Sequence, residues 1–229
     1  MKKIGFCLIW ALTSLYACSI DMEPEVLGSL FLGEGETPTI DYTAVDLGLS
    51  VKWASTNVGA LRPMDASLFF AWGETAAKSS YTWENYAFFD SKNPSILKYN
   101  IEDGLLFLQL KDDPATAIMG SGWRVPTGDE LVELLENCDW TISNGTRGKI
   151  ITATSKVNGN SIEFPLAGYM ESSSLKEEGS HGYIWSSERV GDTPSVAYII
   201  DFDAKESTVR IDTGDRALGL CVRGVRSAN

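Results

Sequence analysis

The stretch Asp112–Cys138, DDPATAIMGSGWRVPTGDELVELLENC, constrains the fold most, because it contains two helix starts separated by a proline turn. Asp113 can cap a first helix, Pro114 occupies a first-turn position where proline is tolerated, and Gly120 is a natural helix end. The sequence therefore predicts a short helix that begins after Asp113 and ends before Gly120.

A second helix is predicted directly after this turn. Thr127 and Glu130 form a T-x-x-E capping box, in which a hydroxyl and a carboxylate satisfy two backbone amides reciprocally. Pro126 disfavours helical backbone at the residue before it, so the chain must turn between the two helices. The apolar residues that follow recur at the spacing of one helix face: Leu131, Leu134, Leu135 and Cys138. We interpret this unit as structural rather than catalytic.

Residues 1–17 have the pattern of an export signal. Two lysines precede an apolar run, residues 4–15, that is too short to span a bilayer. The run ends in Leu-Tyr-Ala-Cys at Cys18, which resembles a bacterial lipobox and predicts cleavage before Cys18 and acylation of that residue. The alternative is an ordinary secretory signal cut after Ala17.

Residues 18–42 contain Glu, Gly, Pro and Thr without sustained periodicity, which predicts a tether. Acidic residues follow Cys18 closely, which resembles the signal that routes lipoproteins to the cell surface in Bacteroidetes; a solvated tether is the alternative. Removal of residues 1–17 takes away two of the 19 basic residues and none of the 31 acidic ones, so the formal charge becomes −14. This charge argues against nucleic acid and anionic membrane surfaces as partners. Residues 43–229 are predicted to form one domain.

Strand patterns flank the two helices. A strand with a bend at Gly48 is predicted within residues 43–60, and Asn144-Gly145 and Asn158-Gly159 are hairpin signals. Further strands are predicted near Trp140–Ser143, Gly148–Thr154, Ser161–Pro165, Gly182–Ser187, Val196–Phe202 and Thr208–Asp212, with a closing strand at Gly219–Val225. The strands Val196–Phe202 and Thr208–Asp212 are predicted to pair as a hairpin. Residues 62–99 form a long irregular segment rich in aromatic residues. Cys138 and Cys221 are the two cysteines left after Cys18, and either a disulfide or two buried thiols fits an exported protein.

Six pieces of the sequence together resemble a known family, the Fibrobacter succinogenes major paralogous domain of Bacteroidetes surface lipoproteins. They are DLGLSVKWASTNVGA at 46–60, FAWGET at 70–75, GWRVPTGDEL at 122–131, FPLAG at 164–168, YIWSS at 183–187 and LCVRGV at 220–225. Together they cover nearly the whole mature chain, and the family usually has Met or Leu where this chain has Val125. The resemblance implies an α+β, C-type lectin-like domain with two short helices. Its lower sheet would join the two termini, and its upper antiparallel sheet would carry long loops.

Calcium-dependent sugar binding and enzymatic activity are both disfavoured by the sequence. The Glu-Pro-Asn, Gln-Pro-Asp and Trp-Asn-Asp motifs of calcium-dependent lectins are missing, and the alternating acids Asp201 and Asp203 lack the spacing of a calcium loop. Formylglycine-generating enzymes share a related fold but need a reactive cysteine pair that Cys138 and Cys221 do not resemble. His181 is the one histidine and has no nucleophile at motif spacing. We expect no cofactor, no metal and no catalysis.

Two loops are the predicted recognition surfaces. The first contains Tyr81, Trp83 and Tyr86, which can stack on sugars or anchor a protein, although packing onto the body is the alternative. The second is the loop Tyr169–Tyr183, which includes His181 and lies where C-type lectin-like domains place recognition.

The predicted function is a non-enzymatic recognition module for glycan or protein ligands, held by lipid in the outer membrane and facing the cell surface. The alternative is an accessory subunit that docks onto an outer-membrane protein complex such as a nutrient-uptake assembly. A concave aromatic site favours the first hypothesis, and a flat apolar surface of about 800 Å² per partner favours the second.

Overall fold

The structure is a computed structural model that describes residue 40, residues 42–63, residue 65, residues 67–145 and residues 148–228. The predicted export signal, the lipidation of Cys18 and nearly all of the tether 18–42 lie outside the described residues.

The two predicted helices are confirmed. Helix α1 spans Pro114–Met119, and the side chain of its N-cap, Asp113, accepts a hydrogen bond from the Thr116 amide at 2.8 Å. Helix α2 spans Gly128–Asn137 and begins with the predicted capping box. The Glu130 carboxylate accepts from the Thr127 amide at 2.8 Å, and the Thr127 hydroxyl accepts from the Glu130 amide at 3.2 Å.

The rest of the fold consists mainly of antiparallel strands, so the coarse α+β prediction agrees with the structure. The strands are β1 Ala44–Val45, β2 Val51–Ala54, β3 Phe89–Asp90, β4 Ser95–Ile96, β5 Cys138–Gly145, β6 Gly148–Ser155, β7 Ser161–Pro165, β8 Tyr169–Glu171, β9 Ser174–Lys176, β10 His181–Arg189, β11 Val196–Asp203, β12 Thr208–Asp215 and β13 Val225–Ser227. They form three-stranded sheets in the orders β1-β2-β13, β5-β6-β7 and β10-β11-β12, together with the hairpins β3-β4 and β8-β9.

The two ends of the described domain meet in one sheet, as predicted. Strand β13 pairs antiparallel with β2, so that Arg226 lies opposite Lys52. The turn between the helices joins the same sheet, because the backbones of Arg124 and Val225 exchange hydrogen bonds of 2.9 and 2.8 Å. The proline turn therefore connects the helices to the closing strand.

One strand prediction is wrong in detail. The closing strand is Val225–Ser227 rather than Gly219–Val225, because residues 219–221 make single bridges to three separate partners instead of a continuous ladder. The hairpin signal Asn144-Gly145 lies at the end of β5, where β5 pairs with β6 up to Gly145 opposite Gly148. Asn158-Gly159 does separate β6 from β7, and Gly159 has the positive φ of 78° that favours glycine at a turn.

The core lies on both faces of the β10-β11-β12 sheet. On one face Ile184, Ile200 and Phe202 pack with Leu131 and Leu134 of helix α2. On the other face Trp185 and Ile199 belong to a second cluster. Trp53, Trp123 and Trp185 are all buried, and Trp53 and Trp185 belong to these two clusters.

Buried arginines hold the irregular segment that precedes α1. The Arg216 guanidinium donates to the carbonyls of Lys98 at 3.0 Å and Tyr99 at 3.1 Å, and it lies 4.5 Å from the Trp72 ring centroid. Arg189 donates to the carbonyls of Asn100 and Leu105, both at 2.8 Å. Because backbone carbonyls need partners when they are buried, these guanidinium groups take the place of strand pairing.

Candidate functional site

The candidate site follows from side-chain alternation along β10, whose successive residues point to opposite faces of the sheet. Gly182 and Ile184 face the core beside α2, whereas His181 and Tyr183 face the other side. Across the ladder, His181 lies opposite Asp203 and Tyr183 opposite Asp201. The register thus places two aromatic rings and two carboxylates on one face.

The rings form a short row. His181 and Tyr183 stack with their planes 6° apart and their centroids 5.6 Å apart. Tyr169, from strand β8, meets Tyr183 edge-on at 5.7 Å. All three side chains are partly exposed. The structure therefore brings together the three predicted ligand-binding residues of the second loop, and we call Tyr169, His181 and Tyr183 the aromatic row.

Carboxylates surround the aromatic row. The imidazole Nδ1 of His181 lies 3.1 Å from Asp201 Oδ1, and its Nε2 lies 3.7 Å from Asp203 Oδ1. The other carboxylate oxygen of Asp201 accepts a hydrogen bond from Arg210 of β12. The Tyr183 hydroxyl donates to Glu177. The site thus combines ring faces with several strong hydrogen-bond acceptors.

Burial and hydrogen bonds shift the pKa values of Tyr183, Asp201 and Asp203. Burial raises the pKa of Tyr183 above its usual value, and the hydrogen bond to Glu177 adds to that rise, so the phenol remains a donor. Burial also raises the pKa of Asp201, while His181 and Arg210 act in the opposite direction. The backbone amide of Glu206 holds the pKa of Asp203 below its usual value.

Backbone geometry positions Glu177 beside Tyr183. Glu177 has a φ of 57°, in the left-handed region, directly after strand β9. Gly168 starts the β8-β9 hairpin with a φ of 67°, and a Cβ at this position would lie 1.9 Å from the Lys176 carbonyl oxygen. Only glycine permits this approach, so the hairpin closes tightly and directs Glu177 towards the row.

The site has part of the chemistry that a catalytic histidine needs. His181 has the carboxylate partner Asp201, but no serine, threonine or cysteine side chain among the described residues hydrogen-bonds to its ring. Nor do the described residues contain a group of three or more His, Cys, Asp or Glu side chains arranged to hold a metal ion. The arrangement is suited to stacking and hydrogen bonding.

A cleft of about 170 Å³ lies at the base of the same loop. Its lining includes Phe69, Leu166, Leu175, Lys149 and Glu178. Pockets that enclose small molecules typically have volumes of roughly 300–1,000 Å³. This cleft is thus smaller than a typical enclosing pocket, and its lining includes no residue of the aromatic row.

The first predicted loop packs largely onto the body of the domain. Tyr81 and Tyr86 are buried, and their hydroxyls donate to the carbonyls of Phe69 at 2.6 Å and Trp72 at 2.7 Å. Trp83 is half-buried and donates from its Nε1 to Asp215 at 3.1 Å. Packing onto the body, the alternative that the sequence left open, is therefore what this loop does.

The two cysteines are buried free thiols, so the disulfide between Cys138 and Cys221 is not formed. Burial raises the pKa of each thiol to about 11. The Cys221 sulfur lies 2.9 Å from the hydroxyl of Ser67 instead. Neither thiol is placed for nucleophilic chemistry, which requires a thiolate.

Sequence reasoning does not identify Asp201 and Arg210 as members of the site, whereas Glu177 belongs to the predicted recognition loop Tyr169–Tyr183. The alternation of Asp201 with Asp203 is visible in the sequence, but it does not by itself indicate a ligand site. The signal that could have identified them is the predicted hairpin of β11 with β12, because it brings Arg210 opposite Asp201. The contact of Tyr183 with Glu177 could not be predicted in this way. It depends on a left-handed backbone conformation at Glu177, and such a conformation is recognisable in a sequence mainly where the residue is glycine.

Comparisons with known proteins give no relative for this site: scans of family models, curated proteins and solved structures each found no match to the chain. No helix in the described part of the chain is long and apolar enough to cross a membrane. The resemblance to the Fibrobacter succinogenes major paralogous domain therefore stays a prediction, and any functional proposal depends on the geometry above.

Proposed function

We propose that this protein is a non-enzymatic recognition module that binds a glycan or protein ligand at the aromatic row. The observation that carries the proposal is the meeting of Tyr169, His181 and Tyr183, partly exposed, beside the carboxylates of Glu177 and Asp201. Aromatic rings stack on the apolar faces of sugars or on side chains of a protein, and carboxylates accept hydrogen bonds from hydroxyl or amino groups. A site of this kind needs no metal and no nucleophile.

The wider assignment is an outer-membrane lipoprotein that faces the cell surface and has a C-type lectin-like domain. Support for the domain comes from the order of its elements: termini joined in one sheet, two short helices, and antiparallel strands with the aromatic row beside their loops. Support for the anchor comes from the lipobox-like sequence that ends at Cys18. Replacement of Cys18 by Ser should release the protein from membranes, and continued membrane binding would contradict the lipid anchor.

The second candidate is an accessory subunit of an outer-membrane complex. It requires an exposed apolar surface, and such a surface occurs between Leu97 and Leu110. We rank this candidate second because that surface has the features of self-association described in the next subsection.

A glycan array and a pull-down from detergent-solubilised outer membrane test the proposal together. We expect the full chain to bind a glycan or a membrane protein, and Tyr169→Ala and His181→Ala to weaken that binding by roughly tenfold or more. Tyr198→Ala is the matched control, because Tyr198 is also a partly exposed tyrosine but lies outside the row. Binding that survives both row variants, or that Tyr198→Ala weakens equally, would refute the aromatic row as the site.

A further inference from the structure

Residues 105–110, LLFLQL, form an apolar edge on the β10-β11-β12 sheet. Phe107 bridges Glu188 of β10 in antiparallel fashion, the Leu108 amide donates to the Ser187 carbonyl at 2.8 Å, and the Arg189 amide donates to the Leu106 carbonyl at 2.9 Å. In such a ladder the backbone groups of alternate residues point to opposite sides. The amide and carbonyl of Phe107 therefore point away from β10, and they have no hydrogen-bond partner among the described residues.

This edge lacks the protection that exposed strands usually carry. Natural edge strands are guarded by charged residues, proline, bulges or a covering element. Residues 105–110 contain no charge and no proline, and Leu106 and Phe107 are 39% and 46% exposed. A run of exposed apolar residues at an open edge is unfavourable in water unless something covers it.

Contacts across the loop extend the edge into a continuous surface. The chain between residues 97 and 110 doubles back, because the Lys98 ammonium donates to the Gln109 side chain at 2.8 Å and the Gln109 amide donates to the Tyr99 hydroxyl at 2.9 Å. Arg189 binds the carbonyls of both Asn100 and Leu105. Two limbs of one loop thus lie side by side; Leu105 and Leu108 pack against the second core cluster, whereas other apolar residues of the loop are exposed. We call this the 97–110 surface; its exposed members are Leu97, Ile101, Leu106, Phe107 and Leu110.

The area of the 97–110 surface matches what a homodimer requires. Its five large apolar residues are between 39% and 67% exposed. At roughly 200 Å² for a fully exposed residue of this size, they present roughly 550 Å² of apolar surface. A standard interface buries about 800 Å² per partner, and homodimer interfaces are about 65% apolar, which corresponds to roughly 520 Å².

Charge does not oppose a second copy at this place. The chain as a whole has a formal charge of −12, so two copies repel each other. Residues 97–110 contain one lysine, Lys98, and two acids, Glu102 and Asp103, so their formal charge is −1. The 97–110 surface therefore holds little of the negative charge that separates two copies.

We propose that two copies of this chain associate through the 97–110 surface, with the edge at Phe107 pairing antiparallel with the same edge of the second copy. A two-fold axis relates the strands of such a pair, so each copy uses the same patch. The outward amide and carbonyl of each Phe107 then find partners in the other copy. This inference is independent of the ligand proposed for the aromatic row.

Sedimentation of the full chain in detergent solution tests the proposal. We expect the mass of a dimer at micromolar concentration, and we expect Phe107→Lys to raise the dissociation constant by roughly thirtyfold or more. A lysine at this position supplies the edge charge that the native sequence lacks. Val157→Lys is the matched control, because Val157 is 60% exposed and lies outside the surface, and this variant should remain dimeric.

A cross-linking variant gives a second readout that does not depend on weakening the dimer. In the proposed pair, the Cα atoms of the two Phe107 residues are about 5.5 Å apart, within the range of a disulfide. Mild oxidation should therefore link Phe107→Cys into a reducible dimer, whereas the native chain and Val157→Cys should give far less. A monomeric native chain, a complex with another protein only, or equal cross-linking of both cysteine variants would overturn the proposal.

Discussion

Replacement of Glu130 by Gln tests the proline turn that organises the fold. The Glu130 carboxylate accepts two hydrogen bonds from Arg124, one of them 2.7 Å long, and also accepts from the Thr127 amide at 2.8 Å. The backbone of Arg124 is hydrogen-bonded to that of Val225, the first residue of the closing strand β13. One carboxylate therefore links the start of helix α2 to the turn and, through it, to the sheet that joins the chain ends.

The expected loss can be worked from these contacts. Glutamine retains an oxygen that can accept from Thr127, so Glu130→Gln removes the ion pair and the negative charge at the helix start. The pair is bidentate but partly exposed, with Arg124 36% and Glu130 13% accessible, so we expect a loss of about 1–2 kcal/mol in the free energy of unfolding. Glu130→Ala also removes the capping acceptor and should lose about 1 kcal/mol more.

The pKa of Glu130 predicts how the stability loss of Glu130→Gln changes with pH. Burial alone would raise the pKa of Glu130, but the hydrogen bonds from Arg124 and Thr127 outweigh it and lower the pKa from its usual 4.5. A carboxylate with a lowered folded-state pKa stabilises the fold fully above the unfolded value, and this stabilisation is lost as pH falls through the folded value. The difference between the native chain and Glu130→Gln should therefore shrink as pH falls below 4.5.

Urea denaturation followed by tryptophan fluorescence, at neutral and acidic pH, measures this difference. Glu136→Gln is the control, because Glu136 is an exposed acid of the same helix. Equal stability of Glu130→Gln and the native chain at neutral pH would refute the reasoning. So would a loss that remains unchanged in acid, because the ion pair would then not be its source.

Three further predictions test other parts of the fold. Arg223→Met should lower the free energy of unfolding by about 3 kcal/mol or more in urea denaturation, because it leaves the buried acceptors of Asn57, Ala54 and Glu163 without donors; native-like stability would contradict this. Gly168→Ala should remove hydrogen-exchange protection from the β8-β9 hairpin, because the added Cβ would collide with the Lys176 carbonyl oxygen. Gly179 shares a positive φ but has open space around it, so Gly179→Ala should lower the free energy of unfolding by only about 1–2 kcal/mol. The two buried thiols should resist a thiol reagent at neutral pH and react in urea, and rapid labelling of the folded protein would show that they are accessible.

Local sequence signals predicted the helices and the hairpins. A capping box such as Thr127 with Glu130 acts within one helical turn, so its effect can be recognised without knowledge of the rest of the chain. Strand Ser161–Pro165 has the predicted bounds, and β11 with β12 forms the predicted hairpin. The predicted bounds of the closing strand are wrong because residues 219–221 each bridge a different distant segment of the chain, which no local pattern encodes.

The candidate site was predicted only in part, for the same reason. His181 and Tyr183 are close in sequence, and Tyr169 lies in the same predicted loop, so their meeting could be anticipated. The aromatic loop is less exposed than its composition suggests: Tyr86, for example, is buried and accepts a hydrogen bond from Arg216, which is separated from it by 130 residues. Aromatic composition identifies a strong contact surface but does not indicate whether the contact is with a ligand or with the chain itself.

A buried guanidinium group, that of Arg189, also supports the loop proposed to form the dimer. Arg189 is 2% exposed and holds the two limbs of the loop that carries the 97–110 surface. A loop fixed in this way cannot fold its apolar residues inwards without leaving buried hydrogen-bonding groups unpaired, which is costly. Within residues 105–110, Leu106, Phe107 and Leu110 therefore stay exposed while Leu105 and Leu108 pack against the core. Because a fixed surface loses little conformational freedom when it is covered, this arrangement favours association over local collapse.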